Sequence, residues 1–105
     1  METQARRLKL HEKLCEILGS RNVYYQSPDL RDMKYPAIVY SRDITRKFNA
    51  DNLRYLSTDA YNVTFICKNP DSDIPDDLEK AFPKIRRQTR YTADGLYHDP
   101  FYLYF

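Results

Sequence analysis

The stretch Tyr61-Asn62-Val63-Thr64-Phe65-Ile66-Cys67-Lys68 falls into two columns when every second residue is read. Tyr61, Val63, Phe65 and Cys67 make one column, and Asn62, Thr64, Ile66 and Lys68 the other. The first is apolar and the second mostly polar, the period-2 pattern of a half-buried strand. Its β-branched and aromatic residues suit a pleated surface. The stretch is therefore predicted to be the central strand of an antiparallel sheet, with the remaining chain pairing with it or packing on its apolar column.

The chain has 105 residues, the size of one domain. Its hydrophobic fraction is 42% and its charged fraction 30%, which fits a globular chain and not a disordered tail. Ten Tyr and five Phe with no Trp lean towards interfaces, because Tyr carries a large apolar body and a polar tip. An aromatic core layer explains them as well. Net charge is +2, from 17 basic and 15 acidic residues, a balance unlike that of a dedicated nucleic-acid binder. Cys15 and Cys67 both fall on apolar faces and read as reduced core thiols of a cytosolic product. The amino-terminal segment is charged every few residues, so no secretory signal is expected there. No apolar run approaches the roughly 20 residues of a membrane span.

Residues 2–18 read as a helix. Leu10, Leu14, Cys15, Ile17 and Leu18 fall on one arc with Leu8 at its margin, and Arg6, Lys9, Glu12, Lys13 and Glu16 lie opposite. Gly19 is placed to end it in a left-handed conformation. A short strand over 22–26 is broken by Ser27-Pro28-Asp29, and a loop runs to Lys34. Residues 35–41 form the next strand, with Ile38 and Tyr40 facing one way and Ala37 and Val39 the other. Residues 42–57 read as a long hairpin excursion rich in charge, of a length that usually carries function. After the central strand, Ile74, Leu78, Ala81 and Phe82 have helical spacing, with Pro75 in the first turn and Pro83 as a stop. Residues 85–91 form a strand, residues 92–95 a turn, and residues 96–105 the last strand, where Pro100 argues for an edge or a bulge. Phe101-Tyr102-Leu103-Tyr104-Phe105 does not alternate, so both sheet faces are expected to be apolar there, one of them uncovered. The fold class is α+β: a mainly antiparallel sheet of four to five strands, a long amino-terminal helix, one short helix and the hairpin excursion, in a single domain spanning 1–105.

Motifs for chemistry are absent. Asp71, Asp73, Asp76 and Asp77 fail the calcium-loop pattern, since position five is Pro75, six is Asp76 and twelve is Phe82; they read as a helix-capping turn. His11 has no second ligand beside it. His98 and Asp99 are neighbours on a strand and point to opposite faces, so they cannot act on one substrate atom from one side. With two glycines there is no phosphate loop, and CxxC is missing. No catalytic, cofactor or metal residues are assigned, and the chain is not expected to be an enzyme. Lys84, Arg86, Arg87 and Arg90 form a basic run that reads as a solvated strand face, a partner contact or a weak phosphate contact.

The order of motifs resembles that of the tail-terminator family of long-tailed siphophages. The likeness rests on Cys15-Glu16-Ile17-Leu18-Gly19-Ser20, Asn22-Val23-Tyr24-Tyr25-Gln26, Met33-Lys34-Tyr35-Pro36-Ala37-Ile38-Val39-Tyr40, the charged hairpin, the 61–68 strand, Asp71-Ser72-Asp73-Ile74-Pro75-Asp76 and Tyr91-Thr92-Ala93-Asp94-Gly95-Leu96-Tyr97-His98-Asp99. It covers nearly the whole chain, and none of these motifs is catalytic. The resemblance implies a viral structural protein of the virion neck, assembled in the host cytoplasm without a membrane. It implies a homo-oligomeric ring, a hexamer, on the head-proximal end of the tail tube. Such a ring stops elongation, meets the major tail tube protein on one side and the head-completion or stopper protein on the other, and passes DNA through its lumen without reading sequence. Contacts between subunits are expected on Arg42, Arg46, Lys47, Phe48, Arg54 and Tyr55 of the hairpin and on Phe101, Tyr102, Tyr104 and Phe105 of the last strand. The alternatives are the neighbouring stopper protein of the neck and, in a different class, a small nucleic-acid-binding module.

Overall fold

The computed structural model describes residues 2–26, 33–43 and 60–105, with side chains from Ala5 onward. Helix α1 spans Glu2–Leu18 and strand β1 Val23–Tyr25. Strands β2 (Ala37–Arg42) and β3 (Ala60–Cys67) follow, then helix α2 (Ile74–Ala81). Strands β4 (Ile85–Arg87), β5 (Tyr91–Ala93) and β6 (Leu96–Tyr104) complete the elements among the described residues. The class is α+β, as the patterning predicts. Among the described residues, however, the sheet is mixed and six-stranded, not mainly antiparallel with four to five strands, because β1 lies parallel to β2. The order is β1-β2-β3-β6-β4, with β5 also on β6. The 61–68 stretch is central, antiparallel to β2 on one side and to β6 on the other.

Helices α1 and α2 lie on one face of the sheet. Leu10, Leu14, Cys15 and Leu18 of α1 and Leu78 and Phe82 at α2 pack on Val23, Ile38, Tyr40, Tyr61, Val63, Phe65, Cys67, Phe101 and Leu103. Fully burying each such aliphatic or Phe side chain is worth about 1.5–3 kcal/mol, so this single layer supplies most of the stabilisation. Helix α1 ends where Gly19 takes φ 82°, and its N–H donates to the Cys15 carbonyl at 2.8 Å. Helix α2 opens with Pro75, Asp76 and Asp77 in its first turn, where the free N–H groups favour carboxylates.

The carboxy-terminal third departs from the sequence reading in three ways. Residues 85–91 are two short strands, β4 and β5, laid end to end along β6. Gln88 pairs with Pro100 through its N–H, whereas Tyr91 pairs with His98, so the edge takes three steps against two on β6. One extra residue is accommodated as a bulge at 89–90. Strand β6 is therefore interior, not an edge. Pro100 fits because its carbonyl faces Gln88, so its missing N–H also faces the interrupted side of the ladder. Finally, Asp94 and Gly95, at φ 53° and 74°, close a two-residue hairpin, with Thr92 and Ala93 already in β5.

The end of β6 does alternate. Phe101 and Leu103 are buried under the helices, while Tyr102 and Tyr104 lie half-buried on the opposite face. That face carries no helix among the described residues. It is partly apolar: Met33, Ile66 and Leu96 cluster there with Tyr24, Tyr35 and Val39. No helix among the described residues is long and apolar enough to cross a membrane.

Candidate functional site

The basic run divides between the two sheet faces. Ile85 packs on the helix side, so alternation puts Arg86 on the open face and Arg87 beneath α2. Arg87 binds Asp76 Oδ1 and Glu79 Oε1 of α2, both at 3.1 Å, and approaches Asp99 Oδ1 at 3.7 Å. Arg90, aimed inward by the bulge, donates from Nε to Asp99 Oδ1 at 2.8 Å and from Nη2 to Asp99 Oδ2 at 3.1 Å. Its remaining nitrogen, Nη1, donates to the Pro70 carbonyl at 3.0 Å. Asp99 is 0% exposed, and the hydrogen-bonded carboxylate holds the Arg90 guanidinium above its ordinary pKa. These two arginines tie helix α2, the 70–73 turn and the sheet together, and so are structural. Lys84, Arg86 and Arg87 are all exposed, Arg87 while held by the carboxylates of α2.

His98 and Asp99 point to opposite faces, as strand alternation predicts. Asp99 is buried with Arg90, and His98 stacks on Tyr91 on the open face, 4.7 Å between ring centres and 17° between planes. Among the described residues no group of His, Cys, Asp or Glu is arranged to hold a metal. Cys15 and Cys67 are free and buried, and burial pushes both thiols up, away from the reactive thiolate. Cys67 donates to the Asn69 carbonyl at 3.1 Å. A cleft of about 450 Å³ opens there between Tyr35, Pro36, Lys68, Asn69 and Ser72.

Two further contacts have no counterpart in the sequence patterns. Glu12 and Arg21 form a bidentate pair at 2.9 and 3.0 Å that closes the α1–β1 corner. His11 Nδ1 lies 2.8 Å from the Tyr40 hydroxyl, at the margin of a ring cluster in which Tyr25 and Tyr61 flank Tyr40. Arg7 stands 4.3 Å above the Tyr25 ring. Burial, then Arg21, then Arg7 lower the His11 pKa from 6.5, with Glu12 opposing them. The folded state therefore prefers neutral His11. Between the lowered folded value and 6.5 the unfolded chain binds more protons, so this contribution is full above 6.5 and is lost as pH falls from there through the folded value. Urea midpoints at about pH 7.5 and about pH 5 should differ more for the wild type than for His11→Gln. Equal differences would show that His11 does not carry the effect.

Of the expected subunit contacts, Arg46, Lys47, Phe48, Arg54 and Tyr55 lie outside the described residues. Arg42 is exposed at the end of β2, opposite Tyr61. Phe101 is 1% exposed and belongs to the core, so it offers no surface to a neighbour. Phe105 packs edge-on against Phe82, 5.9 Å between ring centres, and is half-buried. Tyr102 and Tyr104 are on the open face and engaged in contacts of their own. Comparison with known proteins found no matching family model, curated protein or solved structure.

Proposed function

We propose that the chain is a structural component of a siphophage neck, a tail terminator that forms a hexameric ring on the head-proximal end of the tail tube. The order of its motifs is what resembles that family. The observation that best supports the reading is how the sheet treats segment 44–59. Strands β2 and β3 stay paired up to Arg42 and Tyr61, and the Asp43 N–H donates to the Ala60 carbonyl at 2.8 Å. Both ends of the charged segment thus leave from one end of the sheet. In this reading it contacts the next subunit through Arg42, Arg46, Lys47, Phe48, Arg54 and Tyr55, with Tyr102 and Tyr104 of the open face adding to the interface. A head-to-tail contact whose rotation closes gives a ring of fixed size. One ring face then accepts the tail tube protein, the other accepts the head-completion protein, and DNA passes through the lumen.

Arg46→Glu should leave the far-ultraviolet circular dichroism and the urea midpoint unchanged, within about 0.5 kcal/mol. It should also abolish both ring formation and the ability to stop tail-tube growth. A variant that still forms rings and stops tubes at the wild-type length would remove the 42–57 segment from the interface.

A further inference from the structure

The open face along the β4–β5 edge has a regular order, of which the ring reading uses Tyr102 and Tyr104 and leaves the outer residues unassigned. Tyr104 donates its N–H to Lys84, Arg86 is opposite Tyr102, Gln88 is bonded to Pro100, and Tyr91 is opposite His98. The outer column is thus Lys84, Arg86, Gln88 and Tyr91, and the inner one Tyr104, Tyr102, Pro100 and His98. Neither column contains a carboxylate. Asp76, Glu79 and Asp99 are all engaged by Arg87 or Arg90 on the helix side. The first acid along the edge itself is Asp94 in the hairpin turn. Lys84 and Arg86 are two residues apart, roughly 7 Å along a strand, close to the spacing of phosphates in an extended single strand. Tyr91 is 50% exposed, stacked on His98, and presents a flat ring to solvent.

We infer that this ladder binds single-stranded nucleic acid without reading its sequence. Lys84 and Arg86 take successive phosphates, and a base extends the Tyr91–His98 stack. A column whose charges are both cationic selects a polyanion, and an exposed aromatic pair at one end selects one whose bases are unpaired. A duplex would offer only its phosphates to this surface. The inference stands on Lys84, Arg86, Tyr91 and His98 and does not rest on the ring, although a closed ring would multiply a weak contact.

The test is a fluorescence-anisotropy titration of the full chain with a labelled oligothymidine and with a duplex of equal length, over a salt series. The single strand should bind more tightly, with a log–log salt slope of about −1.4 for two phosphate contacts. Lys84→Glu with Arg86→Glu should abolish binding to both. Tyr91→Ala should weaken the single strand roughly tenfold while leaving the duplex unchanged. Circular dichroism and native mass of the same variants should match the wild type, which separates this outcome from any failure of assembly. Equal affinity for the two forms, or single-strand binding that survives the double charge reversal, would overturn the inference. So would the absence of binding at low salt.

Discussion

Phe65→Ala is expected to lower the unfolding free energy by about 4 kcal/mol. Phe65 is fully buried at the centre of β3, with Ile38 on one side and Asp99 on the other. Removing its ring takes away the transfer free energy of a large apolar group. It also leaves a cavity under both helices, which the sheet cannot close because it is paired on both sides. A domain of this size has about 5–15 kcal/mol of stability in all, so the variant would stand near the limit of folding. Thr64→Ala is the control. Thr64 is the next residue, half-buried on the open face, and its loss should cost less than about 1 kcal/mol. Urea denaturation monitored by circular dichroism gives both values. A Phe65→Ala midpoint equal to that of Thr64→Ala would mean that the helix-covered face is not the core.

Removing Arg90 should cost almost as much for a different reason. Arg90→Ala deletes both charge-assisted hydrogen bonds to Asp99 and the one to Pro70, and leaves the carboxylate buried. Arg87, at 3.7 Å, is too distant to replace a bidentate pair. Breaking a buried pair by removing one partner typically costs about 3–5 kcal/mol; with Arg87 still nearby, about 3 kcal/mol is expected. Arg86→Ala, four positions earlier in the same basic run, should change stability by less than about 0.5 kcal/mol. Asp99→Asn in the Arg90→Ala background should recover part of the loss, because a neutral amide is less costly to bury than a carboxylate. Equal urea midpoints for Arg86→Ala and Arg90→Ala would remove the structural distinction drawn between the two arginines.

The central strand was legible because each residue of Tyr61, Val63, Phe65 and Cys67 reports the same face, and four agreeing positions outweigh local noise. Helix α1 was legible for the same reason at a period of 3.6, and its stop was marked by Gly19. The parallel pairing of β1 was not legible, since a three-residue strand carries no signal of direction. The bulge at 89–90 was missed because neither Thr89 nor Arg90 is a turn former. A signal for Arg90 did exist. On β6 the helix-side column runs Tyr97, Asp99, Phe101, Leu103, buried from Asp99 onward, and an acid in that column requires a cation beside it. Reading Lys84, Arg86, Arg87 and Arg90 as one run hid this, because strand alternation and a bulge send them to different faces. His11–Tyr40 and Glu12–Arg21 depend on how helix and sheet meet, which no local pattern specifies.

The ring is tested most directly by native mass spectrometry of the full chain across a concentration series, in solution and on tail tubes. A closed head-to-tail contact predicts that the largest species contains six subunits, with no open-ended series beyond it. Dimers or tetramers as the largest assembly at every concentration would contradict the ring and the terminator function built on it.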